Sequence, residues 1–131
     1  MKPLYHPNTD QMTLSGVLYA LGDPARLEIV RLLARAGEQS CNAFNCNLAK
    51  STMSHHFKIL REAGIIHSRK SGTQHLNSLR QEDLEQRFPG LLVAVLKNCD
   101  RERVESKELR VKPTSNPSRG GRPTTNNEQP N

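Results

Sequence analysis

Three features of this sequence predict a mainly α-helical fold closed by a β-hairpin, in the outline of a winged helix-turn-helix: helices plus a two-stranded wing. The amphipathic segments between residues 11 and 100 are punctuated at Gly22-Asp23-Pro24 and again at Gly64. The stretch "KSTMSHHFKILREAGII", Lys50 to Ile66, alternates polar and apolar residues with helical spacing. It runs straight into "IIHSRKSGTQHLNSL", which reads as strand, tight Ser71-Gly72 turn, strand.

The elements follow in order. "TLSGVLYALGDPARLEIVRLLARAGE" holds two helices. Gly22 suits a left-handed helix end, Asp23 caps the next helix and Pro24 fits its first turn. In that second helix Leu27, Val30 and Ala34 share the core face, while Glu28, Arg31 and Arg35 share a wet one. "CNAFNCNLA" is short and weakly helical. Ser51 is a natural N-cap for the next helix, Gly64 its C-terminal glycine, and Arg61 a cation suited to the dipole there. "PGLLVAVLKN" is a final apolar helix opening at Pro89.

Residues 1–10 read as irregular and 11–100 as the single folded domain. Residues 101–131 read as a disordered basic tail, because no apolar residue occurs after Val111 to offset ordering entropy. No apolar run approaches the ~20 residues of a membrane span. The opening "MKPLYHPNTDQ" lacks the apolar core of a signal peptide. Three cysteines without a regular framework fit a reducing compartment, so the expected location is cytoplasmic.

The net charge of +6 favours a polyanionic partner, nucleic acid first. That charge is concentrated: from Lys50 to Arg80, Lys50, Lys58, Arg61, Arg69, Lys70 and Arg80 face one acid, Glu62. Successive helical residues turn by about 100°, which places Met53, Phe57 and Leu60 on one apolar stripe with His56 at its edge. Ser51, His55, Lys58 and Glu62 point the opposite way, flanked by Ser54 and Arg61. His55 and His56 therefore diverge, and the i, i+4 histidine spacing of a helical zinc site is missing.

Ser51, Thr52, Ser54, His55 and Lys58, with Arg61 beyond, form a set able to meet base edges and phosphates in a major groove. Arg69 and Lys70, with Thr73, Gln74 and His75 on the return strand, form a basic wing tip suited to phosphates or an adjacent minor groove. The bland alternatives are a solvated face for the first set and a hydrogen-bonded packing role for His56. No catalytic residue, cofactor or metal site is expected, since no nucleophile-plus-base motif or glycine-rich loop occurs.

"LGDPARLEIVRLL", "KSTMSHHFKILREAGII" and "SRKSGTQHLNSL" together resemble the ArsR-type family of bacterial winged-helix repressors. The resemblance spans about residues 12–98 and implies that the helix 51–63 is the recognition helix and 65–79 the wing. It also implies a homodimer paired through the first and last helices, repressing at an inverted-repeat operator in double-stranded DNA. The family's metal sites are not matched. Cys41 and Cys46 replace the usual Cys-x-Cys pair, with four residues between them, and the last helix carries no acid or histidine between Pro89 and Cys99. Cys41 and Cys46 are either small buried residues or a redox or metalloid-responsive pair, joined in the last case by Cys99. A further alternative is a winged-helix protein-interaction module.

Overall fold

The computed structural model describes residues 4–44 and 49–111, with side chains as far as Arg103. The chain forms two compact units, residues 1–97 and 98–131. The first holds α1 (Leu14–Leu21), α2 (Pro24–Ala36), β1 (Gln39–Ser40), α3 (Lys50–Ala63), β2 (Ile66–Ser71), β3 (Gln74–Leu79) and α4 (Gln81–Arg87), with 3-10 turns at Thr9–Gln11 and Cys41–Ala43. The last helix, α5 (Leu91–Val111), begins in the first unit and supplies the described part of the second. It runs past residue 100 because no glycine or proline interrupts it before Pro113. The remaining tail, 112–131, lies outside the described residues.

The caps explain the boundaries. Thr13 Oγ1 accepts from Gly16 N at 3.1 Å, and Asp23 Oδ2 accepts from Ala25 N and Arg26 N at 2.9 and 3.1 Å. Gly22 is not left-handed, with φ −83°. Its glycine is explained instead by a tight approach, since a Cβ would stand 3.3 Å from the Leu18 carbonyl oxygen. The N-cap of α3 is Ala49, two residues before the expected Ser51, which sits inside the helix. Gly64 ends α3 in the left-handed region, with φ 91°. The hairpin turn falls at Gly72-Thr73, one residue later than Ser71-Gly72, because Ser71 already pairs with Gln74. α5 opens at Leu91 after a left-handed Gly90, rather than at Pro89.

The wing belongs to a three-stranded antiparallel sheet in the order β1-β3-β2. The short β1 adds Gln39 and Ser40 opposite Asn77 and Leu76. Asn77 is buried at the junction. It accepts from Ser68 Oγ at 2.6 Å and donates from Nδ2 to the Gln39 carbonyl at 3.3 Å, so all three strands are tied through one side chain.

The core draws Val17, Ala20 and Leu21 from α1, Ile29, Val30 and Leu33 from α2, and Phe57 and Leu60 from α3. In α2 the buried face thus runs through Ile29 and Leu33, with Leu27 and Ala34 only partly covered. Arg31 is buried rather than wet, and its Nη2 donates to Glu28 Oε2 at 2.7 Å. The unanticipated α4 drives Leu84 into the core. Val17, Leu21, Ile65, Leu84, Leu91 and Leu92 close around a space of only about 10 Å³. Among the described residues no helix is long and apolar enough to cross a membrane.

Candidate nucleic-acid interface

α3 is amphipathic, and its inner face fixes its rotation. Phe57 and Leu60 are buried in the core, and His56 beside them is 9% exposed. Arg26 Nη1 donates to His56 Nδ1 at 3.1 Å, while Arg26 Nε donates to the Ala20 carbonyl at 2.6 Å and Nη2 to that of Tyr19 at 3.3 Å. A guanidinium only donates, so this contact assigns Nδ1 of His56 the acceptor role, with Asp23 Oδ2 3.9 Å from the same nitrogen. One arginine thereby ties the end of α1, the start of α2 and the inner face of α3.

With that face fixed, Ser51, Ser54, His55 and Lys58 are exposed on the outer side, and Thr52 is half-buried. The outer set occupies the N-terminal half and middle of α3. An open cleft of about 630 Å³ separates this part of the helix from the wing, lined by Lys50, Met53 and Ser54 on one side and Thr73, Gln74 and His75 on the other. Cys41 of the 3-10 turn and Phe44 just after it also line the cleft.

Register decides which wing residues share the cleft side. Ile66 and Ser68 are buried on one face of β2, and strand alternation places Lys70 on that face, opposite His75. Arg69 takes the other face, opposite Leu76, and reaches Glu38 through Nε to Oε2 and Nη2 to Oε1, both at 2.9 Å. The Arg69 hydrogen bond holds the Glu38 carboxyl below its ordinary value. Arg61 is set apart in the last turn of α3. Its Nε is buried without a hydrogen-bond partner among the described residues, and its charge acts on His6 at the base of the wing. Arg61 and Arg69, which the sequence groups with the reading set, are therefore directed elsewhere, while His75 joins the cleft. The sequence already set His75 on the return strand, and register adds that it lies opposite Lys70 on the cleft side.

A sequence profile of the bacterial regulatory protein, arsR family, matches residues 23–68, from the cap of α2 through α3 into β2. Across 87 residues the chain is 38% identical to YceK of Bacillus subtilis (strain 168), described as an uncharacterized HTH-type transcriptional regulator, covering 64% of this chain and 87% of that protein. The chain belongs to the ArsR family. It is also 36% identical over 73 residues to the arsenical resistance operon repressor of Staphylococcus xylosus, with 55% of this chain and 70% of the repressor covered. Its fold matches the ArsR-like transcriptional regulator from Rhodococcus sp. RHA1 with a TM-score of 0.50 and 26% identity, over 73% of this chain and 91% of that one.

ArsR-family regulators bind DNA, and this member is a transcriptional regulator with a winged helix-turn-helix fold. In this ArsR-family chain Cys41 is a half-buried free thiol whose Sγ receives Asn77 Nδ2 at 3.6 Å. Cys46 lies outside the described residues, and Cys99 is a half-buried cysteine on α5. Among the described residues no three His, Cys, Asp or Glu side chains gather as a metal site would require.

Proposed function

We propose that two copies of this chain bind an inverted-repeat operator in duplex DNA and repress transcription. α3 enters the major groove, and the wing crosses the flanking backbone. The observation that carries this reading is the outer face of α3, where Ser51, Ser54, His55 and Lys58 are exposed across a cleft from the wing tip. Short hydroxyls near the helix start allow close approach to base edges, and Lys58 and Lys70 supply cations for phosphates. Pairing through α1 and α5 is supported by Leu14 and Leu18, one turn apart on α1 and each 48% exposed, and by Val93 on α5 at 61%.

Selection from a random duplex pool tests the reading. An enriched inverted repeat with half-sites about one helical turn apart is expected. Its loss in a Ser54→Ala, His55→Ala, Lys58→Ala triple variant, and its retention after truncation at Pro113, complete the expectation. No enriched sequence, or full sequence preference in the triple variant, refutes it.

A second reading adds a thiol switch to the same repressor. Cys41 lines the cleft beside α3, so an oxidised or metalloid-bound sulfur there would alter the space between helix and wing. Operator binding that responds to oxidant or metal ions, and loses that response in Cys41→Ser, is the expected result.

A further inference from the structure

The sheet order leaves β2 as an edge strand, and edge N–H groups need partners. The segment 4–12 covers it. His6 Nε2 accepts the Ser68 N–H at 3.0 Å, and the His6 ring stacks on that of His67 with centroids 4.4 Å apart and planes at 18°. Next along the segment, Arg80 Nη1 donates to the Pro7 carbonyl at 2.8 Å while its Nε holds Asp83 at 2.9 Å. At the far end Met12 is 1% exposed, and Arg87 Nε donates to its carbonyl at 3.1 Å. Met12 fixes the far end as an apolar plug, the Arg80 bond holds the buried Pro7 in the middle, and the His6 imidazole bonds the start to β2.

We infer that His6 is a proton-operated latch, holding the start of this segment on the edge of the wing at neutral pH and releasing it on acidification. A ring nitrogen that accepts an N–H carries no proton. Protonating His6 Nε2 turns the acceptor into a donor aimed at the Ser68 N–H, and the bond is lost. The surroundings add to the penalty. His67 from β2, Arg61 from α3 and Arg80 after β3 bring positive charge toward the ring, and Asp83 of α4 is engaged by Arg80.

Burial first, then His67, Arg61 and Arg80, holds His6 below its ordinary value of 6.5, against a backbone hydrogen bond at Leu4 that raises it. The released segment therefore binds protons more readily than the docked one. Docking is complete above the ordinary imidazole value and fades as pH falls through the lowered docked value. The Pro7 carbonyl and Met12 do not titrate and the Arg80 and Arg87 guanidinium groups stay charged over this range, so the opening is confined to the residues before Pro7.

The Ser68 amide is the reporter, and no DNA is needed, so failure here leaves the operator reading untouched. In isotope-labelled full-length protein, hydrogen-exchange protection at Ser68 is followed by NMR from about pH 8 to about pH 5. A progressive loss of protection is expected as pH falls, with Leu60 in the core retaining its protection. His6→Gln keeps an acceptor that does not titrate and flattens the profile. His67→Asn removes the coulombic opposition of the stacked imidazole to a proton on His6 and moves the midpoint upward. Constant protection in the wild type, pH dependence surviving in His6→Gln, or parallel loss at Leu60 overturns the latch.

Discussion

Arg69 and Lys70 are consecutive in the wing, yet alternation along β2 turns them to opposite faces. Arg69 is committed to Glu38 in a two-point bond, which braces the wing against the loop before β1. Lys70 shares the cleft side with His75. The salt dependence of operator binding separates the two roles, because each phosphate contact contributes about 0.9 to the slope of log K against log salt. Lys70→Gln is expected to lower the slope by about that amount per protomer, whereas Arg69→Gln weakens binding with the slope unchanged. A falling slope in Arg69→Gln would make it a phosphate contact after all. Sequence showed both cations but not the Glu38 bond, which joins residues brought together only by the sheet. The His55–His56 pair was more legible, since helical angle alone separates an outer histidine from an inner one. Only the structure supplied the partner of the inner one, Arg26. His56→Ala strands a buried guanidinium donor and should cost about 1–3 kcal/mol in urea unfolding, with His56→Asn recovering part through its side-chain oxygen.

Elements were legible where a cap or a turn residue left a local mark, as at Asp23 and Gly64. α4 was not, because Gln81–Arg87 is mostly charged and contributes a single buried residue, Leu84. Its helicity is enforced by the pocket Leu84 fills rather than by periodicity. The end of α3 shows how a local rule and a distant contact combine. Gly64 has φ 91°, and a Cβ there would lie 2.6 Å from Met12 Cγ, so both backbone and space demand glycine. Gly64→Ala should therefore cost roughly 2–4 kcal/mol, of which about 1–2 is left-handed strain and the rest overpacking. In a Met12→Ala background the same substitution should cost only the strain, about 1–2 kcal/mol. Equal costs in the two backgrounds, read from denaturant midpoints, would show that Met12 is not the clashing neighbour.

At the scale of the whole molecule, composition pointed to a polyanionic partner, but the distribution of apolar surface needed the structure. Leu14, Leu18 and Tyr19 on α1 are 48%, 48% and 68% exposed, on a helix whose other face supplies Val17, Ala20 and Leu21 to the core. A short helix this apolar on both sides is costly for a monomer and useful for a pair. Under the proposed dimer, Leu18→Glu places two like charges across a two-fold axis or beside it. The folded unit should survive, since Leu18 lies outside the core, and circular dichroism should be unchanged. Sedimentation should then show monomers at concentrations where the wild type is paired. Operator affinity should fall, and the salt slope should drop to about half, because one protomer brings half the phosphate contacts. A variant that stays dimeric places the interface elsewhere on the chain. A monomer that keeps full affinity and slope would mean that one recognition helix and one wing suffice, removing the reason for an inverted repeat.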